Sequence, residues 1–459
     1  MNRVLSLFIS IIDIILFLLL LMIYNVDLGL AGISLIAIII SIYIIVSIKF
    51  SVKNSVITLI FLIVYAVSIF GRAFLQYNLS YIPTTTSFDS LRMFSTQAIY
   101  QALVLGITSM LGIHVGILLT NYNKTNLREK RNISDTANNK YIFSIKMTAK
   151  LLLLISIVPA IIIFISEFIG IALPGGLSTT LKMMEGWLLI YFIINIVVNE
   201  SANHFWLGLF YYFPQLLWGA RGEPIIYVVI LYYLYNRFIN KKTISFIKGI
   251  ILAIVTVLIL NLFVVIKDYR NIELSQWFAN IPQIYFETLV NSNPILEIIY
   301  EVGVALAPTV AAIQITPEIL PVQFGKTFLY SIFTAIPDFF RIRPGFMTEL
   351  GNIPAFISNY YGAAFGGSIL QDFYVNFMWF SPLIMVVVGF LIQKFSEKIS
   401  IETNKVKIVF LSVFLYPLFW WPRSSIGFVF RNIFVTVFIP LLVYLLCLEF
   451  YKKIRRRIK

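Results

Sequence analysis

Stretches of about 20 mostly apolar residues, long enough for a helix to cross a bilayer, recur along the whole of this chain. Inside lipid such a stretch satisfies its own backbone hydrogen bonds, which confines it to a helix. The composition of the 459 residues agrees, since 59% are hydrophobic, only 12% are charged and the mean hydropathy is +0.90. The sequence therefore predicts an all-α polytopic membrane protein and excludes a soluble domain.

We predict about twelve spans. They are residues 4–24, 29–48, 55–74, 97–119, 149–171, 186–198, 204–219, 224–239, 247–265, 375–393, 407–420 and 426–448. The two segments within 186–219 are short enough to be tilted or re-entrant. The first span lacks a small-residue cleavage site after it, which favours a retained helix over a signal peptide. The one cysteine, Cys447, lies in the last span, so disulfides and thiolate metal clusters are excluded.

The basic residues predict the orientation of these spans. If the N-terminus is cytoplasmic, most of the 35 lysines and arginines fall in inside connections, the densest of which lie within 124–150, 237–248 and 452–459. This positive-inside pattern places both termini in the cytoplasm. The net charge of +14 is then a topology signal that also attracts anionic lipid headgroups, and it does not indicate nucleic acid.

The predicted organisation has three parts: nine spans in 1–265, a long external loop in 266–374, and three spans with a basic tail in 375–459. Apolar residues at helical spacing predict amphipathic helices in the first part of the loop, broken at Asn293-Pro294 and capped around Pro308 and Pro317. A further short helix is predicted over 327–335. We expect these helices to lie on the outer membrane surface and to cover a cavity.

The end of the loop carries two alternating arginines, Arg341 and Arg343. In an extended segment the side chains of residues i and i+2 point the same way, so both guanidinium groups can converge on one ligand. Arginine binds phosphate through two hydrogen bonds and stays charged. The pattern is equally compatible with interfacial arginines that pair with headgroups, with Asp338 or with Glu349.

Two other arginines stand where a charge is costly. Arg221 lies between glycines and between two apolar segments, and Arg431 lies inside the last one. Each is a candidate for lining a cavity, although Arg221 is also compatible with a snorkelling residue or a partner of Glu223. Asp13, inside the first span, is a weaker candidate, and Arg423 follows two tryptophans in an interfacial anchor pattern.

The carboxylates nearest the loop arginines are Asp372, Glu349 and Asp338, and a carboxylate can take a proton from a sugar hydroxyl. The only histidines, His114 and His204, fall outside the loop, so histidine is not the expected base.

Small residues precede Asp372: Gly366, Gly367 and Ser368 permit close approach of the backbone to a sugar or phosphate, although glycine also serves helix packing. The chain has no Gly-Lys-Ser/Thr phosphate loop, no His-Glu-x-x-His and no Gly-x-Ser-x-Gly. ATP-driven transport and metalloprotease activity therefore have no support.

Three motifs together carry a family resemblance. They are Trp218-Gly-Ala-Arg-Gly222 before a span, Arg341-Ile-Arg-Pro-Gly345 in the loop, and Gly366-Gly-Ser-Ile-Leu-Gln-Asp-Phe-Tyr-Val-Asn-Phe377 at the return to the membrane. The chain resembles the Wzy-type O-antigen (oligosaccharide repeat-unit) polymerases of bacteria. It departs from them in having Asp372 where the family more often has Glu, and in lacking the Arg-x(10)-Gly loop pattern.

The resemblance implies a GT-C-like fold in the bacterial inner membrane and a metal-independent transferase without cofactors. Such an enzyme moves the growing glycan from undecaprenyl pyrophosphate onto a new lipid-linked repeat unit on the outer side, with a chain-length regulator as a possible partner. It implies Asp372 and Glu349 as catalytic residues. It implies binding of pyrophosphate or glycan by Arg221, Arg341, Arg343, Arg431, Gly366, Gly367, Ser368 and Tyr374.

Three other functions compete with this one. An O-antigen ligase acts on the same lipid but is expected to use a loop histidine, which 266–374 lacks. A lipid-linked oligosaccharide flippase needs charged residues in its spans and no long external insert. A polyprenyl-phosphate-sugar transferase usually has acidic pairs in its first external loop, where this chain has only Asp27.

Overall fold

The structure, a computed structural model, describes residues 2–23, 28–82, 90–121, 138–169, 174–217, 222–240, 293–336 and 343–458. Every regular element in these ranges is helical. The α-helices are α1 Asn2–Ile23, α2 Gly29–Ser51, α3 Val56–Ala66, α4 Arg72–Asn78, α5 Thr96–Leu119, α6 Asn138–Ile169, α7 Gly175–Asn199, α8 Ala202–Leu217, α9 Gly222–Tyr235, α10 Pro294–Val302, α11 Leu306–Ile315, α12 Lys326–Ala335, α13 Gly345–Leu350, α14 Ile353–Tyr361, α15 Ile369–Phe377, α16 Ser381–Ile401, α17 Lys405–Val413, α18 Leu415–Trp420, α19 Ile426–Asn432 and α20 Ile439–Ile458.

The all-α polytopic architecture predicted from the sequence is confirmed. Within the described ranges, nine helices are long and apolar enough to cross a membrane, and the shorter apolar helix Leu5–Leu20 precedes them. Several of these run through a short π-helical or 3-10 turn, as Val56–Asn78 does at Val67–Gly71. The predicted span 247–265 lies outside the described residues.

The described residues fall into two compact units. The first unit is drawn from residues 1–129, 296–401 and 418–431. Its centre is α5, which is buried along nearly its whole length and packs most extensively on α16. Backbone touches backbone at this crossing, because a side chain on Gly116 would meet the Val386 carbonyl and one on Gly389 would meet the Ile113 carbonyl. Glycine is what permits two membrane helices to approach so closely.

The predicted external loop contains a helix with the character of a span. Residues Ile295–Ile315, in α10 and α11 with a 3-10 turn between them, are apolar enough to cross a membrane. Asn293 caps α10 by accepting the Ile295 N–H at 3.1 Å, as the predicted break there requires. Pro308, in contrast, does not end a helix but lies in the first turn of α11, where its missing N–H has no partner to lose. The predicted helix over 327–335 is confirmed as α12.

The second unit is drawn from residues 130–295, 402–417 and 432–459. In it α6 pairs with α7 and α20, and α8 pairs with α9. The part of the region 186–219 that the structure describes, up to Leu217, lies in two separate helices, α7 and α8, with Glu200 between them in the left-handed conformation at φ +51°. Glu200 is exposed and pairs with Lys405 at 2.9 Å. This exposed ion pair joins the start of α17 to the end of α7.

Candidate active site

The predicted site residues are only partly within the described ranges. Arg221 and Arg341 lie outside them. Arg343 follows at the next described position, where its Nη2 donates a hydrogen bond of 2.5 Å to the Ile336 carbonyl. The predicted convergence of Arg341 and Arg343 on one ligand therefore stays a prediction.

Of the small residues before α15, Gly367 and Ser368 are buried and Gly366 is exposed. Gly366 has φ +75°, a left-handed value that favours glycine. Ser368 is the N-cap of α15, since its Oγ accepts the Gln371 N–H at 3.1 Å, and the Gln371 Oε1 accepts the Ser368 N–H at 3.3 Å. The Ser368 hydroxyl also lies 2.7 Å from the Thr309 hydroxyl on α11. This reciprocal capping box explains locally why the helix starts here.

Asp372 lies in the first turn of α15 and is only 1% exposed. Its Oδ2 accepts the backbone N–H of Ile426 at 2.5 Å, at the start of α19. A carboxylate at a helix N-terminus satisfies an amide that has no partner within the helix and is favoured by the helix dipole. The side chain thus joins the beginnings of two helices.

Three backbone segments meet where α19 begins. Besides the Asp372–Ile426 bond, a side chain on Gly367 would lie 2.6 Å from the Ser425 nitrogen. A side chain on Gly427 would lie 2.8 Å from the Gly351 carbonyl, at the end of α13. Gly367 and Asp372 therefore share one junction, which we call the α19 junction and define as Gly351, Gly367, Asp372 and residues 425–427.

Two predicted site residues are close in sequence to the α19 junction. Glu349 precedes Gly351 by two residues, and Arg431 follows Gly427 by four residues, on the same helix face. Both side chains are exposed. Tyr374, in contrast, is buried, and its ring makes an edge contact with Trp379 at a centroid distance of 5.9 Å.

Asn376 fixes the opposite end of α15. Its side-chain Nδ2 donates to the Thr327 hydroxyl at 2.5 Å, and its side-chain Oδ1 accepts the Gly325 N–H at 2.8 Å. The glycine–serine, acidic residue, tyrosine and asparagine motif thus contains a helix cap, an interhelical carboxylate bond and a loop anchor. These contacts position α15 between α11, α12 and α19.

Arg72 is a buried charge that the sequence reasoning missed. It lies at the start of α4, is 4% exposed, and its Nη2 donates to the Tyr300 hydroxyl at 3.1 Å. Its Cζ also stands 4.3 Å from the centroid of the Tyr300 ring, a cation–π distance. The signal was present, because Arg72 is a charge inside a predicted apolar span and such charges mark functional candidates.

Acidic residues accompany Tyr300 on α10. Glu297, one turn before it, is buried. Burial, and then the Glu297 carboxylate, raises the pKa of Tyr81 to about 12, so this phenol keeps its proton at neutral pH. Glu301 is within electrostatic range of Arg423, whose Cζ stands 4.9 Å from the Trp420 ring. The first unit thus brings two arginines and two glutamates to α4, α10 and the 3-10 turn Trp421–Arg423.

The second unit contains an acidic and aromatic cluster that the sequence reasoning also missed. We call it the tyrosine–glutamate cluster, and it consists of Glu185, Tyr211, Tyr212, Gln215, Glu223, Tyr227 and Tyr416. The Glu185 Oε1 accepts from the Tyr211 hydroxyl at 2.6 Å and from the Gln215 amide at 2.7 Å. The Glu223 Oε1 accepts from the Tyr416 hydroxyl at 3.0 Å. The cluster brings together α7, α8, α9 and α18.

Asp13, a weaker candidate in the sequence, forms a buried pair with His114. The Asp13 Oδ2 lies 2.8 Å from the His114 Nδ1, and neither side chain is exposed. The Tyr43 hydroxyl donates to the Asp13 Oδ1 at 3.2 Å, and the Ser47 Oγ lies 3.1 Å from the His114 Nε2. The pair links α1, α2 and α5, so His114 is a packed helix residue.

Within the described part of the chain, no group of three or more His, Cys, Asp or Glu side chains has the arrangement of a metal site. Arg72 and Glu185 are buried charged side chains that contact tyrosines. The apolar membrane-length helices define a multi-pass membrane protein, and the charged side chains buried in them mark candidate functional residues.

Comparison with protein-family models identifies the family of this membrane protein. The family model for the O-antigen polysaccharide polymerase Wzy matches residues 5–454, nearly the whole chain. The chain therefore belongs to the Wzy O-antigen polysaccharide polymerase family. Family membership and the membrane-length helices indicate a multi-pass inner-membrane polymerase. Comparison with curated proteins and with solved structures found no match. The family resemblance drawn from the three motifs is confirmed.

Proposed function

We propose that this protein polymerises oligosaccharide repeat units carried on undecaprenyl pyrophosphate, on the outer side of the inner membrane. The observation that carries the proposal is the family match over residues 5–454. An acceptor hydroxyl on a new lipid-linked unit attacks the anomeric carbon of the growing glycan. The bond from that carbon to pyrophosphate breaks, the lipid pyrophosphate leaves, and the hydroxyl proton passes to a base.

Arginines suit the leaving group of this reaction. Negative charge grows on the pyrophosphate as the glycosidic bond breaks, so guanidinium groups placed there stabilise the transition state more than the ground state. We assign this role to Arg221, Arg341 and Arg343, with Arg431 as a weaker candidate. The exposure of Arg431 and its place one turn beyond the α19 junction support its inclusion.

The proposed base is Glu349, with Asp372 as the residue that positions the start of α19. Both carboxylates lie near the α19 junction, but Asp372 is buried and its Oδ2 is engaged by Ile426, whereas the Glu349 side chain is exposed. A base has to come within hydrogen-bond reach of the acceptor proton, which favours the exposed group. Gly366, Gly367, Ser368 and Tyr374 hold the surrounding backbone.

The positive-inside pattern supports an orientation with both termini in the cytoplasm. In that orientation the C-terminal end of α4, the loop 266–374 and the α19 junction belong to the outer side, where lipid-linked repeat units are polymerised. In this proposal the arginines, and no metal ion or cofactor, stabilise the charge of the leaving pyrophosphate.

The test is polymerisation by purified protein in proteoliposomes, supplied with lipid-linked repeat units extracted from a strain that lacks its polymerase. We expect a ladder of glycans that wild-type protein forms and that Arg221→Ala and Arg341→Ala do not. Arg455→Ala, an exposed arginine in the C-terminal tail, is the matched control and should leave the ladder intact. Single units that stay unchanged with wild-type protein would refute the polymerase activity, and normal ladders from both arginine variants would refute the arginine assignment.

A further inference from the structure

The tyrosine–glutamate cluster is costly to maintain inside a membrane protein. Glu185 is buried within α7, a membrane-length helix, and Glu223 is half-buried in the first turn of α9. An ionisable side chain in a span is disfavoured, and well-packed apolar residues are often at least as stable as buried charges. Two carboxylates in one cluster therefore indicate a role beyond holding helices together.

The aromatic part of the cluster is a continuous row of phenol rings. Centroid distances are 5.0 Å from Tyr211 to Tyr212, 4.8 Å from Tyr212 to Tyr227 and 4.9 Å from Tyr227 to Tyr416. Each ring offers an apolar face and a hydroxyl that both donates and accepts hydrogen bonds. The row thus combines apolar ring faces with polar groups, the two kinds of group that line small-molecule binding sites.

The Tyr212 hydroxyl indicates that the cluster binds a further hydrogen-bonding group. Its side chain is 0% exposed, yet its hydroxyl has no hydrogen-bond partner in the described part of the chain. The same hydroxyl is within electrostatic range of both Glu185 and Glu223. A buried hydroxyl without a partner costs free energy, about 1–3 kcal/mol, unless a ligand or water satisfies it. The unsatisfied group therefore lies near both carboxylates.

We propose that the tyrosine–glutamate cluster is a carbohydrate-binding subsite that is reached at Glu223. It takes the hydroxyl-bearing acceptor end of a repeat unit. Carboxylates accept hydrogen bonds from sugar hydroxyls, the Tyr212 hydroxyl bonds a sugar oxygen, and the phenol faces pack against the C–H faces of the ring. This assignment rests on the proposed polymerase function and names the substrate group that the second unit recognises.

The charge of the cluster favours a sugar over a metal ion. A hard cation such as calcium takes six to eight oxygen ligands, whereas this cluster offers two carboxylates, one amide and four phenols. Glu223 also follows directly after Arg221 and Gly222 in the chain. The acceptor end would thus be held close in sequence to an arginine that we assign to pyrophosphate.

Binding can be separated from polymerisation by using a soluble probe. Mild acid releases the repeat-unit oligosaccharide from its lipid, and saturation-transfer NMR or isothermal titration measures its binding to protein in nanodiscs. We expect Glu223→Gln to weaken binding at least about tenfold, because a charge-assisted hydrogen bond is lost. Glu200→Gln, an exposed glutamate of the same unit, is the matched control and should bind as the wild type does.

A second variant guards against misfolding of the first. Tyr212→Phe removes one hydroxyl and keeps the ring, so it should fold normally, with a melting temperature no lower than that of the wild type, and still weaken oligosaccharide binding. Folded Glu223→Gln and Tyr212→Phe proteins that bind the oligosaccharide normally would overturn the subsite.

The ladder assay keeps the two proposals distinct. A wild-type ladder with Glu223-independent binding leaves the polymerase function standing and removes the subsite. Glu223-dependent binding without any wild-type ladder keeps the sugar site and removes the polymerase reaction.

Discussion

The Asp372 carboxylate and the Ile426 amide are joined by a 2.5 Å hydrogen bond that links the first turn of α15 to the start of α19. Both residues are buried, and Gly367 and Gly351 approach the same segment. The bond places a carboxylate from the family-like motif in a structural role. It also leaves the exposed Glu349 as the carboxylate better placed to meet a substrate.

Substitution of Asp372 distinguishes a structural role of this carboxylate from a catalytic one. Asp372→Asn keeps an acceptor oxygen for Ile426, so we expect a folded protein with its ladder retained. Asp372→Ala leaves a buried amide without a partner and should lower the free energy of unfolding by about 1–3 kcal/mol. Stability is measured by thermal unfolding in detergent. A folded Asp372→Asn protein that forms no ladder would show that this carboxylate takes part in the reaction.

Glu349→Gln tests the proposed base directly. The amide cannot take a proton, so we expect the polymerisation rate to fall by about 10²–10⁴-fold, with substrate binding and thermal stability unchanged. Glu318→Gln, an exposed glutamate in the turn after α11, is a matched control that should keep the wild-type rate. An unchanged rate in Glu349→Gln would exclude this residue as the base.

Much of the helical layout could be predicted because apolar stretches of membrane length are a strong signal. The helices over 29–51, 96–119 and 426–458 begin within a residue of the predicted starts. The helix Ile295–Ile315 is apolar and of membrane length. The sequence instead predicted amphipathic helices on the membrane surface. The sequence predicted helix ends around Pro308 and Pro317, but Pro308 lies in the first turn of α11, where it breaks no hydrogen bond.

The site was less predictable than the fold, because its contacts join residues far apart in sequence. No spacing rule connects Arg72 with Tyr300, or Glu223 with Tyr416, although each pair is in contact. Asp372 was found as a polar residue in a motif, but its partner is a backbone amide, which a sequence does not distinguish. Charges inside apolar spans were the one available signal, and applying it evenly would have included Arg72, whereas Glu185 lies one residue before the predicted span 186–198.

The contact between Arg72 and Tyr300 predicts a measurable coupling. Tyr300→Phe removes the hydroxyl that accepts from the guanidinium and keeps the ring beneath it, so we expect a loss of about 1–3 kcal/mol in stability. Arg72→Lys should lose more than Tyr300→Phe, since an ammonium cannot both stack on the ring and reach the hydroxyl. A double-mutant cycle measured by thermal unfolding gives the coupling, and additive losses would contradict the contact.

The Asp13–His114 pair predicts rescue by a second substitution. His114→Leu leaves the Asp13 carboxylate buried without its ring partner and should cost about 3–5 kcal/mol. Asp13→Leu in the same protein removes that stranded group, so the double variant should regain much of the loss. The comparison is made by denaturant unfolding of purified protein. A double variant less stable than His114→Leu alone would indicate that Asp13 has other stabilising contacts.

The crossing of α5 and α16 predicts a sharp difference between two glycines. A methyl group on Gly389 would collide with the backbone of Ile113, whereas one on Gly345 meets nothing within 4 Å. We therefore expect Gly389→Ala to lower stability by about 1–3 kcal/mol, as overpacking does, and Gly345→Ala to be nearly neutral. Thermal unfolding of the two variants side by side measures the difference. Equal stability would mean that α5 and α16 separate without cost, which contradicts a crossing held by backbone contact.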